Sequence, residues 1–361
     1  MSADTRIDHA RTLVLRHGWN AMAYQILNPG IRRWFSADGE GVVGYVRAAR
    51  CRVVAGAPVC PSERLAGTAA EFEADARRAG HWVCYFGAQE RLIDLSAERG
   101  PVSVLLLGAQ PVWDPQHWPA ILGSKASLRA QLARARNKGV TVRPWPAAGA
   151  EGHPELQRCL HEWLETRGLP PMHFLVEWNV LARLLDRRLF VAERDGQVIG
   201  FLIASPIPSR NGWLIEQMIR GRAAPNGTIE LLLDTAVRAV ASEGATFVTL
   251  GLSPLAQIAS HYPPPPWSVR LLLAWVRVHG RRFYNFEGLE RFKRKFQPVE
   301  WEPIYAATNR PRISVRTLYA IAGAFGGTSP VLFIGRALLR ALTQEARWAG
   351  AAARRRLSDG G

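Results

Sequence analysis

The sequence predicts a mixed α/β protein made of two halves, residues 1–148 and 149–310, and a helical tail over residues 311–361. Three observations predict this fold class. Apolar runs of strand length alternate with amphipathic helical segments in both halves. A chain of 361 residues is long enough for two domains of ordinary size. The stretch WPAAGAEGHPE, around residues 145–155, has the composition of a linker between them.

The elements of the first half follow one another at short intervals. After a predicted N-terminal helix, the alternating stretch GVVGYVRAARCRVVAGAPV indicates one or two strands. Residues 68–80 have helical spacing of apolar side chains, and Gly80 is a typical helix stop. The apolar runs HWVCYFGA and VSVLLLGAQPVWD predict two more strands. The basic segment KASLRAQLARARNKG predicts a helix that ends at Gly139, and VTVRPW predicts a strand after it.

The second half begins with a predicted helix, ELQRCLHEWLETRG, and continues with a hairpin whose turn is Arg194-Asp195-Gly196. The strand GWLIEQMIR, a loop, an amphipathic helix from about Thr228 and the strand TFVTLGL follow. This order is typical of acyl-CoA-type N-acyltransferases. Because the two halves have a similar element order, we expect them to fold as two similar α/β units.

The composition favours anionic partners. The net charge is +16, and 46 side chains are lysine or arginine, of which only Lys125, Lys138, Lys293 and Lys295 are lysines. A positive field of this size attracts nucleic acid, anionic membranes and phosphorylated substrates. The four cysteines form no CxxC pair, so we expect no metal site and a reducing, cytoplasmic compartment. The polar N-terminus lacks the apolar core of a secretory signal.

The loop RAAPNG, which precedes the amphipathic helix, is the strongest candidate for a site. Unpaired backbone N–H groups at a helix start bind anions, and Asn226 or Thr228 could instead cap them. Glu216 and Arg220 lie on the preceding strand, four residues apart, so strict alternation would place them on one face. Glu230 lies just inside the helix. A capped core helix with ordinary surface ion pairs is the alternative interpretation.

Four separated motifs in the second half occur in the order of a known family. FVAERDGQVIGFLIASPI, EQMIRGRAAPNGTIELLLDTAV, GLSPLA and FYNFEGLERFKRKFQPVEWEPIYA together resemble the C-terminal catalytic domain of the phosphatidylglycerol lysyltransferases, the bacterial multiple peptide resistance factors. The resemblance covers roughly residues 15–310, and its first half is less tight. Full-length members carry transmembrane helices ahead of this domain. We therefore expect a stand-alone form without the membrane-spanning flippase part.

The resemblance implies a tandem of two GNAT-like folds and a defined activity. Such enzymes transfer an amino acid from aminoacyl-tRNA to a glycerol hydroxyl of phosphatidylglycerol or a related anionic lipid, which changes the membrane charge. The aminoacyl ester is already activated, so we expect neither a cofactor nor a metal. Many relatives carry Asp where this chain has Gln217, which leaves the amino acid, lysine-like or alanine-like, open.

Matching the family motifs residue by residue gives two sets of candidates. The expected catalytic residues are Glu216, Arg220 and Glu230. The expected substrate-binding residues are Asn226, Gly227, Thr228, Ser253, Glu287, Lys293 and Lys295. A carboxylate can hold the α-ammonium group of the amino acid, and the basic groups can hold the lipid phosphate or the 3′ end of the tRNA.

The tail predicts contact with a membrane surface. No residue between Arg316 and Arg336 is charged, but glycines and Pro330 interrupt this stretch, and a basic amphipathic segment follows it. We expect residues 311–356 to bind anionic lipid without spanning it, which would keep the protein at the inner face of the plasma membrane. A helical pair packed on the protein is the alternative.

Two other function classes compete with lipid aminoacylation. An acyl-CoA-dependent N-acyltransferase would act on a small amine, but RGRAAPNG lacks the Arg/Gln-x-x-Gly-x-Gly/Ala spacing of the usual pyrophosphate loop. A non-enzymatic membrane-binding or RNA-binding protein would need the positive charge alone. A convergence of Glu216, Arg220 and Glu230 in one site would argue against the second alternative.

Overall fold

The computed structural model describes residues 3–97, 100, 102–166, 174–175, 180–256, 258, 262–279 and 286–326. These residues form one mixed sheet with helices on both faces, which confirms the predicted α/β class. The strands are β1 (Arg32–Phe35), β2 (Val42–Ala48), β3 (Cys51–Ala55), β4 (Trp82–Ala88), β5 (Ser103–Trp113), β6 (Thr141–Trp145), β7 (Arg188–Arg194), β8 (Gln197–Ile207), β9 (Gly212–Arg220), β10 (Phe247–Thr249), β11 (Ser253–Pro254) and β12 (Glu300–Thr308). The α-helices are α1 (Ala3–His17), α2 (Leu65–Arg78), α3 (Glu90–Ala97), α4 (Trp118–Ser124), α5 (Ala126–Asn137), α6 (Pro154–Glu165), α7 (Thr228–Ser242), α8 (Trp267–His279), α9 (Phe286–Arg294) and α10 (Val315–Gly326).

The sheet runs without interruption through both halves of the chain. Its order is β1-β2-β3-β4-β12-β5-β10-β9-β8-β7-β6, with β11 paired to β5. Strand β12 lies antiparallel between β4 and β5, and β5 pairs with β10, so late and early segments alternate at the centre. Strand β6 lies at the far edge, beside β7. The division of the chain at 148/149 stays a prediction.

Local turn chemistry sets the predicted hairpin. Strands β7 and β8 pair from Arg194 and Gln197 outward, which leaves Asp195 and Gly196 as a two-residue turn. Both residues have positive φ, +51° and +77°, as a type I′ turn requires. Asp tolerates the left-handed region and Gly adopts it freely, so this pair of residues predicts the hairpin from sequence.

Helix α7 is held in place by its apolar face. Buried side chains along it, among them Leu232, Ala236, Val237 and Val240, pack in one cluster with residues of β7, β8, β9 and α5. Full burial of such aliphatic side chains contributes about 1.5–3 kcal/mol for each Val or Leu. Because this face fixes the helix axis, the start of α7 is held rigidly beside the end of β9.

Strand β9 contains a β-bulge. Ile203 of β8 faces Gln217, whereas the next residue, Ala204, faces Ile215, so Glu216 is an extra residue on β9. Ile215 packs in the cluster under α7, and Ile219 packs in the cluster under α6, on the opposite face. An inserted residue reverses the alternation of side chains beyond it. The expectation that Glu216 and Arg220 share one face is therefore wrong.

The first part of the predicted tail packs on the protein. In α10, Ala320, Ile321 and Ala324 are buried in the cluster that also holds residues of α1, β2 and β3. Within the described residues, none of the helices combines the length and the hydropathy that crossing a bilayer requires. Residues 327–361, which include the arginines predicted to contact lipid from Arg336 onward, lie outside the described residues.

A polar cluster ties β12 to both halves of the sheet. Arg210, in the turn between β8 and β9, donates two hydrogen bonds to Glu302 of β12, at 2.5 and 2.9 Å. Gln89 and Gln110 donate to the same carboxylate at 2.9 and 2.8 Å. The Arg210 guanidinium also lies 3.6 Å from the centre of the Phe247 ring. One carboxylate therefore joins donors from both halves.

Replacing Glu302 with Ala should destabilise the fold. The change leaves Arg210 and two amides without their shared acceptor in a poorly solvated position, so we expect a loss of about 3 kcal/mol in the free energy of unfolding. Urea unfolding measures this loss. Glu243→Ala, which breaks an exposed pair with Arg188, is the control and should cost less than about 1 kcal/mol. Equal losses in the free energy of unfolding for the two variants would contradict the conclusion that Glu302 joins donors from both halves.

Candidate active site

A cavity of about 230 Å³ opens where the end of β9, the following loop and the start of α7 meet. Helix α5 borders it from the side of the first half. The residues that line it are Gln131, Arg220, Pro225, Asn226, Gly227, Thr228, Ile229 and Glu230. The structure thus brings five of the ten predicted site residues to one cavity.

Arg220 organises the loop ahead of α7. Its guanidinium donates to the carbonyl oxygen of Ala224, from Nη2 at 2.8 Å and from Nε at 3.3 Å, and from Nη2 to the amide oxygen of Asn226 at 3.3 Å. The residue is otherwise exposed to solvent. Arg220 therefore shapes the cavity wall and still presents positive charge to the cavity.

The start of α7 has no side-chain cap. The N-cap residue is Gly227, and the Thr228 hydroxyl donates instead to the carbonyl oxygen of Pro225 at 2.8 Å. The alternative in which Asn226 or Thr228 caps this helix does not hold, because the Asn226 side chain accepts from Arg220 and the Thr228 side chain donates to Pro225. The backbone N–H of Thr228 donates to the carbonyl oxygen of Pro225 at 3.3 Å. In the described part of the chain, the N–H groups of Ile229 and Glu230 and the positive end of the helix dipole remain for an anionic group in the cavity.

Gly227 is required by both its conformation and its neighbour. Its φ is +96°, which residues other than Gly rarely adopt. A Cβ atom added there would collide with the carbonyl oxygen of Gln131 on α5. The loop and α5 are therefore in close backbone contact. Gln131 is a site residue that the sequence did not reveal, since only the packing of α5 against α7 brings it there.

Glu230 and Lys295 form an ion pair at the edge of the cavity. Lys295 Nζ lies 2.5 Å from Glu230 Oε1, and the Glu230 side chain is 13% exposed. The ammonium group also lies 4.4 Å from the centre of the Phe292 ring and 5.0 Å from that of Phe296. The aromatic rings shield one side of the pair from water, while the other side faces the cavity. Together with Arg220, these groups give this end of the site a positive excess.

Lys293 is buried in an unusual environment. Its ammonium group donates to the carbonyl oxygens of Gly251 and Leu252, at 2.8 and 2.9 Å, and the residue is 2% exposed. Burial lowers the pKa of Lys293 to about 7. The neighbouring Ser253 hydroxyl is buried and, within the described part of the chain, has no hydrogen-bond partner. Lys293 thus binds the segment between β10 and β11, just ahead of Ser253, and neither residue belongs to the cavity-lining set.

Glu216 is not brought to the cavity. Its side chain is 6% exposed and pairs with the buried guanidinium of Arg187 at 3.2 Å. The Ser205 hydroxyl donates to the same carboxylate at 2.5 Å, and Arg187 lies over the ring of Tyr24. The β-bulge directs Glu216 to this position, away from Arg220. Glu287, in the first turn of α9, is exposed and also lies outside the cavity-lining set.

The cysteines are buried as free thiols. Burial raises the pKa of Cys84 to about 12 and that of Cys159 to about 11. Since the thiolate is the reactive form, neither of these thiols is suited to act as a nucleophile. In the described parts of the chain, no three His, Cys, Asp or Glu side chains are grouped as metal ligands.

Replacing Gly227 with Ala should distort the cavity. The added Cβ meets both an unfavourable φ and the Gln131 backbone, so we expect a loss of about 2 kcal/mol or more in the free energy of unfolding. Gly244→Ala, at the other end of α7, is the control. Its φ is also positive, +85°, but the added Cβ would meet open space, and the cost should be about 1 kcal/mol. Equal losses in urea unfolding would contradict the contact with α5.

Replacing Lys293 with Met should change the pH dependence of stability. Below the lowered pKa of about 7, the folded and unfolded forms both bind the proton, and the cost of the buried charge is fully present. Between that pH and the ordinary lysine pKa of about 10.4, the folded form has released its proton while the unfolded form still binds one. The free energy of unfolding of the wild type therefore increases as the pH rises through this range. Stability relative to Lys293→Met should therefore rise between about pH 7 and pH 9.

Urea unfolding at several pH values measures that difference. Lys138→Met, at an exposed position after α5, is the control for the loss of one lysine charge. A constant difference between wild type and Lys293→Met across this range would show that Lys293 titrates as a solvated lysine does.

The chain is similar in sequence to known proteins. The phosphatidylglycerol lysyltransferase of Bacillus subtilis is 25% identical to the chain over 316 residues, 86% of this chain and 36% of that protein. The lysylphosphatidylglycerol biosynthesis bifunctional protein LysX of Rhodococcus jostii is 25% identical over 302 residues, 81% of this chain and 26% of that protein. The chain thus spans about a third or less of the length of these relatives.

Two solved structures have the same fold. The C-terminal domain of a putative lysylphosphatidylglycerol synthetase from Agrobacterium fabrum superimposes with a TM-score of 0.77 at 23% identity, over 90% of this chain and 98% of that one. L-PGS from Bacillus licheniformis gives a TM-score of 0.73 at 22% identity, over 92% and 95%. Residues 11–308 match the family described as phosphatidylglycerol lysyltransferase, C-terminal. The resemblance found in the sequence motifs is confirmed, and the chain belongs to the family of phosphatidylglycerol lysyltransferase C-terminal domains.

Proposed function

We propose that this protein is a transferase that moves an aminoacyl group from aminoacyl-tRNA to a glycerol hydroxyl of phosphatidylglycerol. The observation that carries the proposal is the cavity at the uncapped start of α7, where a carboxylate, a guanidinium and an ammonium group meet. Family membership supports the same reaction class, since relatives that contain this domain are named for lysylphosphatidylglycerol synthesis.

The reaction exchanges one ester for another. The oxygen of the lipid hydroxyl forms a bond to the aminoacyl carbon, the bond from that carbon to the ribose oxygen breaks, and the hydroxyl proton passes to the ribose oxygen. Because the aminoacyl ester is already activated, the site needs only to orient the reactants and to stabilise negative charge on the carbonyl oxygen. The side chains and backbone amides of this chain supply groups of both kinds.

The carboxylate of Glu230 is suited to hold the α-ammonium group of the aminoacyl substrate. This contact would replace one charge partner of Glu230 by another and free Lys295 for an anionic group. Arg220 and Lys295 would then bind phosphate, either of the lipid or of the tRNA 3′ end. The N–H groups at the start of α7 would face the carbonyl oxygen as it becomes negative.

The remaining predicted site residues take supporting parts in the proposal. Lys293 would position the segment between β10 and β11, through the carbonyl groups of Gly251 and Leu252. Substrate binding by Ser253 stays a prediction, because its unpartnered hydroxyl is buried outside the cavity-lining set. Substrate binding by Glu287 and catalysis by Glu216 stay predictions, and Glu216 would have to act from its pair with Arg187.

We place this activity at the inner face of the plasma membrane, because the acceptor is a membrane lipid and the tRNA is cytoplasmic. The net charge of +16 supports attraction to an anionic lipid surface. The change in lipid charge that results would lower the attraction of the membrane for cationic peptides.

Transfer assays with the purified chain test the proposal. Vesicles of phosphatidylglycerol are incubated with radiolabelled lysyl-tRNA or alanyl-tRNA, and labelled lipid is extracted and counted. Arg220→Ala should lower kcat/KM by about 10–10²-fold, because it removes a charge-assisted contact to a substrate phosphate. Its melting temperature should change little, since the side chain is exposed.

Arg194→Ala, at the exposed turn between β7 and β8, is the control for the loss of one arginine and should retain full activity. Lipid labelling from an acyl-CoA but from no aminoacyl-tRNA would contradict the proposed donor. A loss of stability in Arg220→Ala that equals its loss of activity would assign this arginine a structural role.

A further inference from the structure

The described residues expose large apolar side chains mainly on two helices. Six such side chains are exposed, and four of them lie on α8 and α10. Trp267 and Leu271 of α8 are 73% and 61% exposed, and Val315 and Tyr319 of α10 are 47% and 41% exposed. Isolated exposed apolar residues are common in soluble proteins, but a concentration on neighbouring elements indicates a contact surface.

Each pair forms a stripe on its helix. Trp267 and Leu271 are four residues apart, as are Val315 and Tyr319, so each pair lies on one helix face. The opposite faces are fixed: Val269 of α8 and Ala320 of α10 are fully buried in the same core cluster. The two helices also contact each other. The stripes therefore lie on neighbouring helices that are packed on one core cluster, and together they are termed the α8–α10 face.

The sequence segments that form this face carry charge of one sign. Arg270, Arg312 and Arg316 are exposed beside the apolar stripes. The sequence contains no Asp or Glu between Glu243 and Glu287, and none between Glu302 and Glu345. Both helices thus lie in long segments that carry positive charge alone. An apolar, aromatic surface bordered by arginines is complementary to the boundary between the head groups and acyl chains of an anionic bilayer.

We propose that the α8–α10 face is the surface on which the protein docks to anionic membranes. Trp267 and Tyr319 would lie at the level of the head groups, Leu271 and Val315 would contact the acyl chains, and the arginines would bind lipid phosphates. The aliphatic side chains favour a bilayer over RNA, since they offer no ring on which a base can stack. This inference rests on the proposed function for its biological setting, because docking would hold the protein at the membrane that contains its lipid acceptor.

Flotation of the full chain with vesicles tests the docking face. Vesicles of phosphatidylcholine with and without phosphatidylglycerol are mixed with wild-type protein or with the double variant Trp267→Glu/Leu271→Glu. We expect wild type to float with the phosphatidylglycerol vesicles and the double variant to lose most of that binding, about tenfold or more. Both side chains are exposed, so the melting temperature should stay unchanged.

Leu185→Glu/Val299→Glu is the matched control. It introduces the same charge at the two exposed apolar residues that lie outside the α8–α10 face, and it should float like the wild type. Equal flotation of wild type and both double variants would overturn the inference. So would a gel-shift assay in which Trp267→Glu/Leu271→Glu loses tRNA binding while its flotation is unchanged, since the face would then bind nucleic acid.

An assay with short-chain, water-soluble phosphatidylglycerol separates docking from catalysis. The Trp267→Glu/Leu271→Glu variant should keep wild-type transfer to the soluble lipid and lose transfer to vesicles. If the wild type floats and the variant does not, but neither transfers an amino acid to any lipid, the docking face stands and the proposed function fails. If the variant loses transfer to both lipids and still floats, the docking face is refuted.

Discussion

Strand β12 is the element on which both the sheet and the site depend. It lies between β4 and β5, so the early strands are joined through a segment from much later in the chain. Its partners fix it along its whole length, and Glu302 gathers donors from both halves. Helix α9 ends shortly before β12, and its Phe292 packs against the core cluster that includes the apolar face of α7. From this position Lys295 reaches Glu230, and Lys293 reaches the carbonyl groups that follow β10.

Burial separates two carboxylates that are alike in sequence. Glu216 is enclosed with Arg187, Ser205 and an aromatic ring, and this network satisfies it without a ligand. Glu230 meets Lys295 at a cavity wall, where one side of the pair remains open. A buried pair that loses one partner is costly, whereas a pair at a cavity can exchange partners at low cost. The physical difference favours Glu230 as the carboxylate that meets a substrate.

The excess of arginine serves structure as well as binding. Arg33 donates to the carbonyl groups of Ile26 and Leu27, and Arg52 pairs with Asp75 beneath two aromatic rings. Such arginines satisfy buried acceptors and are not available to a partner. Positive charge that can act outward lies in segments without carboxylates, which include residues 115–150 around α5 and the segments that form the α8–α10 face. Net charge alone would not have located that surface.

The sequence by itself determined the features that depend on neighbouring residues. The Asp195-Gly196 turn, the apolar stripe of α7 and the loop around Gly227 follow from local conformational preference, and the ordered motifs identified the family. Only the tertiary structure decided the bulge at Glu216, the approach of Gln131 to the cavity, the position of β12 and the packing of α10 on the core. These features depend on pairing between distant segments, and a single residue inserted into a strand reverses which face its side chains occupy. Periodicity along one segment contains no information about that register.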